Sequence, residues 1–95
     1  MPTRFEWDTE KADTNVRKHG ISFDEAQTVF KDDLSITAPD PDHSDEEERW
    51  IIIGQSNQKR LLVVVHMERG KKIRLISARQ ATPAERSKYE EEDLA

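Results

Sequence analysis

Residues 50–79, WIIIGQSNQKRLLVVVHMERGKKIRLISAR, contain three short apolar runs separated by polar turns. The runs occupy residues 50–53, 61–65 and 73–76. Their length and their β-branched side chains predict three strands of a largely covered sheet, joined as two hairpins. Arg74 lies inside the third run. A buried arginine needs an anion or a hydrogen-bond partner, because an unpaired buried charge is costly, so this position gives the first indication of a functional site.

Two helices are predicted before this segment. Asp8 is suited to cap the first helix, which ends at Gly20. Ser22 and Glu25 have the spacing of a capping box, and they predict a second, short helix that ends near residues 31–32. The apolar residues of both helices recur at the spacing of one buried face, so both are expected to pack on the sheet.

The remaining segments complete an α+β pattern. Short strands are predicted at residues 5–7 and 34–38, and a polar connection or one helical turn at 43–48. Thr82 and Pro83 begin a final helix. The order β-α-α-β-β-β-β-α with short connections predicts an α+β fold: a small curved antiparallel β-sheet, two N-terminal helices packed on one face, and a C-terminal helix.

Composition limits the class of protein. The 95 residues are expected to form one domain over 1–95, with 34% hydrophobic and 37% charged residues. Cysteine is absent, which excludes disulfides and thiolate zinc sites. We expect a cytoplasmic protein without a membrane span or a signal peptide, because no apolar run is long enough to cross a membrane. We also expect no metal and no cofactor, because no ligand motif has the required spacing.

Charge is unevenly distributed along the chain. The net charge of −5 argues against general nucleic-acid binding by the whole surface. Residues 40–48 nevertheless hold six acids and no base, whereas residues 59–79 hold seven bases and one acid. The basic region suits a focused anion site or a charged partner. The alternative is a solvated hairpin edge whose lysines and arginines prevent aggregation.

A register can be predicted by pairing apolar residues with each other. Centring the first hairpin on 57–58 places Trp50 opposite Val65, Ile52 opposite Val63 and Gly54 opposite Leu61. With the second turn near 68–70, one face then packs under the helices and carries Leu61, Val63, Val65, Ile73 and Leu75. The other face carries Arg49, Ile51, Ile53, Leu62, Val64, His66, Lys72, Arg74 and Ile76. In this register Arg49 lies opposite His66.

Arg49, His66 and Arg74 could therefore surround one phosphate, with arginines as bidentate donors and histidine as a proton carrier. Alternatively, both arginines pair with the acids at residues 45–48. Lys18 and His19 end the first helix, where cations are also favourable for the helix dipole. His43 in isolation is typical of a surface loop. Ser77 has no convincing catalytic triad around it.

The sequence resembles the BrnT toxins over about residues 5–89. The resemblance rests on Phe5-Glu6-Trp7-Asp8, Lys11-Ala12, Asn15, Lys18-His19-Gly20, Phe23-Asp24-Glu25-Ala26, Val29-Phe30, His43-Ser44, Glu48-Arg49, Ile53-Gly54, Ser56, Arg60-Leu61-Leu62-Val63-Val64, Ile73 to Arg79, Ala81-Thr82 and Glu85-Arg86. Lys18-His19-Gly20 and Ile76-Ser77-Ala78-Arg79 are its most specific parts.

This resemblance implies a RelE-like fold and a metal-independent endoribonuclease toxin that halts translation. It implies a BrnA-like ribbon-helix-helix antitoxin, a two-plus-two complex, and contact with operator DNA only through that antitoxin. Its motifs suggest these site residues: Lys18, His19, His43, Arg49, Arg74 and Arg79. His66 departs from the small polar residue expected in relatives.

We expect Arg49, Arg74 and Arg79 to hold the phosphate and His19 to transfer protons. Lys18 would assist electrostatically, and His43 is the reserve candidate. Additional substrate contacts are expected from Arg60, His66 and Lys72. The alternative function is a non-catalytic module that acts as co-repressor with a DNA-binding partner and uses the same basic surface.

Overall fold

The computed structural model of the chain describes residues 4–41 and 48–94. The strands are β1 (Arg4–Glu6), β2 (Ile36–Pro39), β3 (Arg49–Gln55), β4 (Leu61–Arg69) and β5 (Lys72–Gln80). The helices are α1 (Thr9–His19), α2 (Phe23–Thr28), which continues into a single 3-10 turn at Val29–Lys31, and α3 (Pro83–Leu94). The predicted element order and the α+β class are confirmed. The polar connection predicted at 43–48 lies, except for residue 48, outside the described residues.

The predicted helix boundaries have the expected physical causes. Asp8 caps α1 by accepting from the backbone N–H groups of Glu10 and Lys11 at 2.8 and 3.4 Å. Gly20 ends it in the left-handed region, with φ 72°. The Ser22 hydroxyl accepts from the Glu25 N–H at 3.1 Å, but the Glu25 carboxylate turns into the interior. The structure therefore shows one of the two contacts of the predicted capping box.

The sheet has the order β1-β5-β4-β3-β2 and is mixed. Four strands pair antiparallel, as predicted, whereas β1 runs parallel to β5 through three residue pairs. The prediction of a wholly antiparallel sheet relied on short connections between neighbours. It was wrong for β1, because β1 is separated from its neighbour β5 by most of the chain and is not joined to it by a hairpin.

The predicted register of the first hairpin was wrong by one residue. Trp50 pairs with His66, and Ile52 pairs with Val64. The cause is a three-residue turn at 57–59, in which Lys59 has φ 62° and the Ser56 N–H donates to the Arg60 carbonyl at 2.8 Å. A turn one residue longer than the predicted two-residue turn reverses which β4 side chains face the helices.

The corrected register defines two faces of the sheet. The inner face packs against α1 and α2 and buries Ile52, Leu62, Val64, Leu75 and Ala78, so the prediction that Leu62 and Val64 lie on the opposite face was wrong. The outer face carries Ile53, Leu61 and Val63, which pack against Tyr89 of α3. The predicted placement of Leu61, Val63 and Val65 under the N-terminal helices was also wrong. Ile73 and Leu75 do face the helices.

A buried amide fixes α1 to β5. The Asn15 side chain is 5% exposed and pairs with both backbone groups of Ala78: Nδ2 donates to the carbonyl at 2.8 Å, and Oδ1 accepts from the N–H at 3.0 Å. Nδ2 also donates to the Ile21 carbonyl at 2.8 Å. Asn15 therefore takes the place of a neighbouring strand at this part of β5, beyond the end of β1.

We predict that Asn15→Ala lowers the free energy of unfolding by about 2–4 kcal/mol, because it leaves buried Ala78 and Ile21 groups without their partner. Urea unfolding measures the decrease. Asp13→Ala on the exposed side of α1 is the matched control, since it gains a similar helix propensity without touching Ala78. A decrease below about 1 kcal/mol for Asn15→Ala would contradict the structural role assigned to this amide.

Candidate active site

A β-bulge in β5 places two arginines on the same face. Arg74 and Arg79 are five positions apart, so a regular strand would direct them to opposite faces. Val65 pairs with Ser77 and the next residue, His66, pairs with Leu75, which leaves Ile76 as the extra residue of β5. Leu75 and Ala78 consequently both point inward, and Arg74, Ser77 and Arg79 all lie on the outer face.

Arg49 belongs to the same outer face. It pairs with Met67, which pairs with Arg74 on its other side, so the two arginines flank one methionine in a single cross-strand row. Two strand spacings put their backbones about 10 Å apart, within joint reach of one phosphate for side chains of this length. The predicted proximity of Arg49 and Arg74 is therefore present, although the register that predicted it was wrong.

A surface cavity lies where α1 passes the free edge of β5. Its volume is about 370 Å³. Lys18 and His19 come from the last turn of α1, and Ile76 and Ser77 come from the bulge. The rest of the lining comes from the start and middle of α1: Asp8, Glu10, Lys11, Thr14 and Asn15. We call this the edge cavity.

Ser77 connects the edge cavity with the arginines. It lines the cavity, and on β5 it lies between Arg74 and Arg79 on the outer face. Lys18 and His19 therefore border the same strand segment that carries both guanidinium groups. An exposed imidazole and a lysine thus line a cavity beside the strand segment whose arginines lie on the outer face, and these are the kinds of group needed to hold a phosphate and transfer a proton beside it.

Acidic partners hold both β5 arginines. The Glu6 carboxylate of β1 accepts from Arg74 at 2.9 Å and lies 3.7 Å from the Lys72 ammonium group. The hydrogen bond from Arg74 lowers the pKa of Glu6. Arg79 donates two hydrogen bonds to Glu85 of α3, at 2.7 and 2.8 Å. This bidentate pairing lowers the pKa of Glu85 to about 2. A bound phosphate would have to share or replace these carboxylates.

Arg60, predicted as a substrate contact, lies in a different environment. It donates to both oxygens of Glu25, a carboxylate that is 3% exposed, with an Nε–Oε2 distance of 2.9 Å. The Ser56 hydroxyl donates to the same Oε2 at 2.7 Å. The hydrogen bond from Arg60 lowers the pKa of Glu25, despite the opposing effect of burial. Removing Arg60 would leave a buried charge without its cation, so this contact favours a structural role.

The predicted cross-strand pairing of His66 with Arg49 is wrong. His66 lies on the inner face, is 2% exposed and packs edge-on against the Phe30 ring at 4.8 Å. Burial lowers its pKa, and its Nδ1 atom has no hydrogen-bond partner among the described residues. The register correction is the reason, since a one-residue slip reverses the facing of each β4 side chain. His43 lies outside the described residues.

Sequence reasoning missed the carboxylates and the bulge. The sequence did not indicate Glu6 and Glu85 as arginine partners, nor the buried hydrogen bonds of Asn15. The odd spacing between Arg74 and Arg79 was the available signal for a bulge. Within the described ranges, no three histidine, aspartate or glutamate side chains converge as a set of metal ligands. No helix in those ranges has the length and apolarity to cross a membrane.

A profile for the ribonuclease toxin BrnT of type II toxin–antitoxin systems matches residues 7–85. The chain therefore belongs to the BrnT family of ribonuclease toxins. Its fold is similar to the crystal structure of the Brucella abortus ribonuclease toxin BrnT, with a TM-score of 0.67 and 24% identity. This similarity covers 85% of the present chain and 99% of the Brucella chain. No curated protein matches the sequence at a significant level. Membership of a type II system implies an antitoxin partner.

We predict that Arg79→Ala relieves growth arrest in cells that express the protein, because removal of a charge-assisted phosphate contact takes away about 2–4 kcal/mol of transition-state stabilisation. Growth at matched expression measures the effect. Unchanged toxicity would exclude Arg79 from the site.

Glu85→Gln is the matched control. It also weakens the Arg79–Glu85 contact, yet it keeps the guanidinium, so toxicity should persist.

The pKa of Glu85 is about 2 in the folded chain and 4.5 ordinarily, so the pair stabilises the fold above pH 4.5 and loses this effect as pH falls toward 2. Acid unfolding of wild type and Glu85→Gln should converge across that range.

Proposed function

We propose that this chain is a metal-independent endoribonuclease whose site lies on the outer face beside the edge cavity. The observation that carries the proposal is the bulge at Ile76, which puts Arg74, Ser77 and Arg79 on the outer face, while Ser77 also lines the edge cavity with Lys18 and His19. Membership of a ribonuclease toxin family supports the substrate class. The side chains at this place are suited to a reaction that needs phosphate binding and proton transfer.

The proposed step is internal transesterification of RNA. The 2′-oxygen attacks the neighbouring phosphorus, the bond from phosphorus to the 5′-oxygen breaks, and a 2′,3′-cyclic phosphate and a free 5′-hydroxyl form. Arg49, Arg74 and Arg79 stabilise the charge that develops on the phosphate oxygens. His19 is the proposed proton-transfer group and Lys18 assists electrostatically. His43 remains the reserve candidate for proton transfer.

Among the other predicted substrate contacts, Lys72 is the best placed. It is exposed on the outer face, two residues from Arg74. Arg60 is paired with the buried Glu25 and His66 is itself buried, so we assign both residues structural roles. The cleaved RNA would include transcripts required for translation, and a cytoplasmic location follows from that substrate.

The proposed partner is a BrnA-like ribbon-helix-helix antitoxin in a two-plus-two complex that reaches operator DNA only through the antitoxin. The apolar surface available to it on the outer face is limited. Leu62 and Val64 are in the interior, and α3 covers Ile53 and Val63. The half-buried side chains of Ile51, Val65 and Met67 remain beside the arginines. We propose that an acidic antitoxin segment docks there and blocks the phosphate site.

We predict that purified protein cleaves RNA in the presence of EDTA and leaves 2′,3′-cyclic or 3′-phosphate ends. His19→Gln should reduce cleavage by a factor of about 100 or more, since it removes the proposed proton carrier. Arg17→Gln, in the same exposed helical turn, is the control and should retain activity. Gel analysis of end-labelled RNA measures both.

Activity that EDTA abolishes and Mg²⁺ restores would reject this mechanism. A purified chain that cleaves no RNA, yet strengthens operator binding by its partner, would instead support the co-repressor function.

We predict that Arg74→Glu slows association with the antitoxin about tenfold at low ionic strength, because it reverses a charge that steers the acidic partner. Association rates measured against salt concentration test this. Lys31→Glu, on the 3-10 turn, is the control for the same change in net charge. Equal effects of the two variants would place the antitoxin elsewhere.

A further inference from the structure

Three cations stand directly opposite one another across the end of the sheet. Arg4 of β1 pairs with Lys72 of β5, and Lys72 pairs with Arg69 of β4. Like charges in directly opposed cross-strand positions are destabilising. A row of three such residues on neighbouring strands therefore carries a penalty in the free chain, which an anionic ligand would relieve.

The turn that closes this end adds a fourth cation. Gly70 and Lys71 form a two-residue turn between β4 and β5, and Gly70 has φ 60°, a conformation that favours glycine at the first turn position. Lys71 is exposed at its tip. We call Arg4, Arg69, Lys71 and Lys72 the basic tip.

Within the part of the chain that the structure describes, the nearby acids Glu6 and Glu68 do not balance this charge. Glu6 is shared between Arg74 and Lys72. Glu68 pairs with Ile73, and this register places it on the inner face, away from the row. On a chain with a net charge of −5, the basic tip is thus a local concentration of positive charge.

The basic tip is continuous with the proposed catalytic face. Lys72, Arg74, Ser77 and Arg79 follow one another along the outer face of β5. At the rise of a β-strand, Lys72 and Ser77 are separated by about 16 Å. Cations therefore extend along β5 from the turn to the edge cavity.

We propose that the basic tip binds the phosphodiester backbone of the RNA substrate several nucleotides away from the cleaved bond. This rests on the proposed ribonuclease activity and specifies its substrate as an RNA strand long enough to span both places. The row Arg4–Lys72–Arg69 has no apolar member. Protein interfaces are depleted of charge at their centre, whereas nucleic-acid interfaces are strongly positive, so the composition of the row favours RNA over a protein partner.

The test compares Arg69→Gln/Lys71→Gln with wild type on oligoribonucleotides of graded length. For a 20-nucleotide strand at low salt, kcat/KM should fall about tenfold. For the shortest strand that wild type cleaves, it should change less than about twofold. The slope of log kcat/KM against log salt for the long strand should decrease by about 1.4, because each of the two cations that neutralise a phosphate contributes about 0.7 to it.

Lys31→Gln/Lys88→Gln is the matched control, because it removes two exposed cations from the 3-10 turn and from α3. It should leave the dependence on length unchanged. An equal decrease in the two double variants, or an equal decrease for short and long strands, would overturn the proposal. Thermal unfolding confirms that each variant is folded.

Binding of the 20-nucleotide strand, followed by fluorescence anisotropy, separates this inference from the proposed function. If wild type cleaves no RNA of any length, the ribonuclease proposal fails, and the anisotropy still decides whether the basic tip binds RNA. If RNA binding is unchanged while affinity for polyglutamate falls in Arg69→Gln/Lys71→Gln, the tip serves an acidic protein partner and the inference is overturned.

Discussion

The pairing of the Asn15 amide with Ala78 is the contact on which the position of the site depends. β1 covers β5 from Lys72 to Arg74 and then ends, so the backbone beyond Arg74 needs another partner on that edge. Asn15 supplies a donor and an acceptor to Ala78, and its second donated bond, to Ile21, holds the chain just after α1. The last turn of α1 is thereby kept against the edge of β5, where it borders Ser77.

The ion pairs around this contact are of two kinds, one with a buried carboxylate and two with partly exposed carboxylates. Glu25 is buried and receives Arg60 and Ser56, so this group contributes to folding and removal of either charge would be costly. The pairs Arg74–Glu6 and Arg79–Glu85 are partly exposed, with arginine side chains 29% and 42% accessible. Water and salt weaken such pairs, so a phosphate can compete for these guanidinium groups. The three arginines are exposed to a similar degree, so it is the burial of the carboxylate, 2% exposed for Glu25 against 28% for Glu6 and 25% for Glu85, that separates a structural arginine from two arginines available to a ligand.

The local rules of chain geometry predicted most of the fold. The caps at Asp8 and Ser22 and the left-handed stop at Gly20 were readable because each depends on a few adjacent residues. The register between β3 and β4 could not be predicted in the same way. The turn at 57–59 uses Lys59, not glycine, in the left-handed conformation, and nothing in its sequence distinguishes a three-residue from a two-residue turn. Parallel pairing of β1 with β5 depends on contacts between distant parts of the chain, and the spacing of apolar residues along the sequence does not predict such contacts.

The same limit applies to the site. The sequence predicted Arg49, Arg74 and Arg79 as one group, and the structure places them on one face. It could not predict the partners Glu6 and Glu85, because those contacts depend on how β1 and α3 meet β5. The predicted position of His66 was wrong for the same reason as the positions of Leu62 and Val64. The face that a β4 side chain occupies depends on the register, and the register depends on the turn at 57–59, which is one residue longer than predicted.

The bulge at Ile76 makes β5 a strand with two phases. Before Ile76, even-numbered residues face outward, and after it odd-numbered residues do. Deleting Ile76 alone would merge the phases without changing the facing of the flanking residues: Arg74 and Arg79 would be four positions apart, so a regular strand would still direct both arginines outward and Ala78 inward. Substitution and deletion at this position therefore have different meanings for the protein: a substitution alters a side chain beside the cavity and keeps the bulge, whereas the deletion removes the bulge and leaves the facing of Ser77, Ala78 and Arg79 as it is.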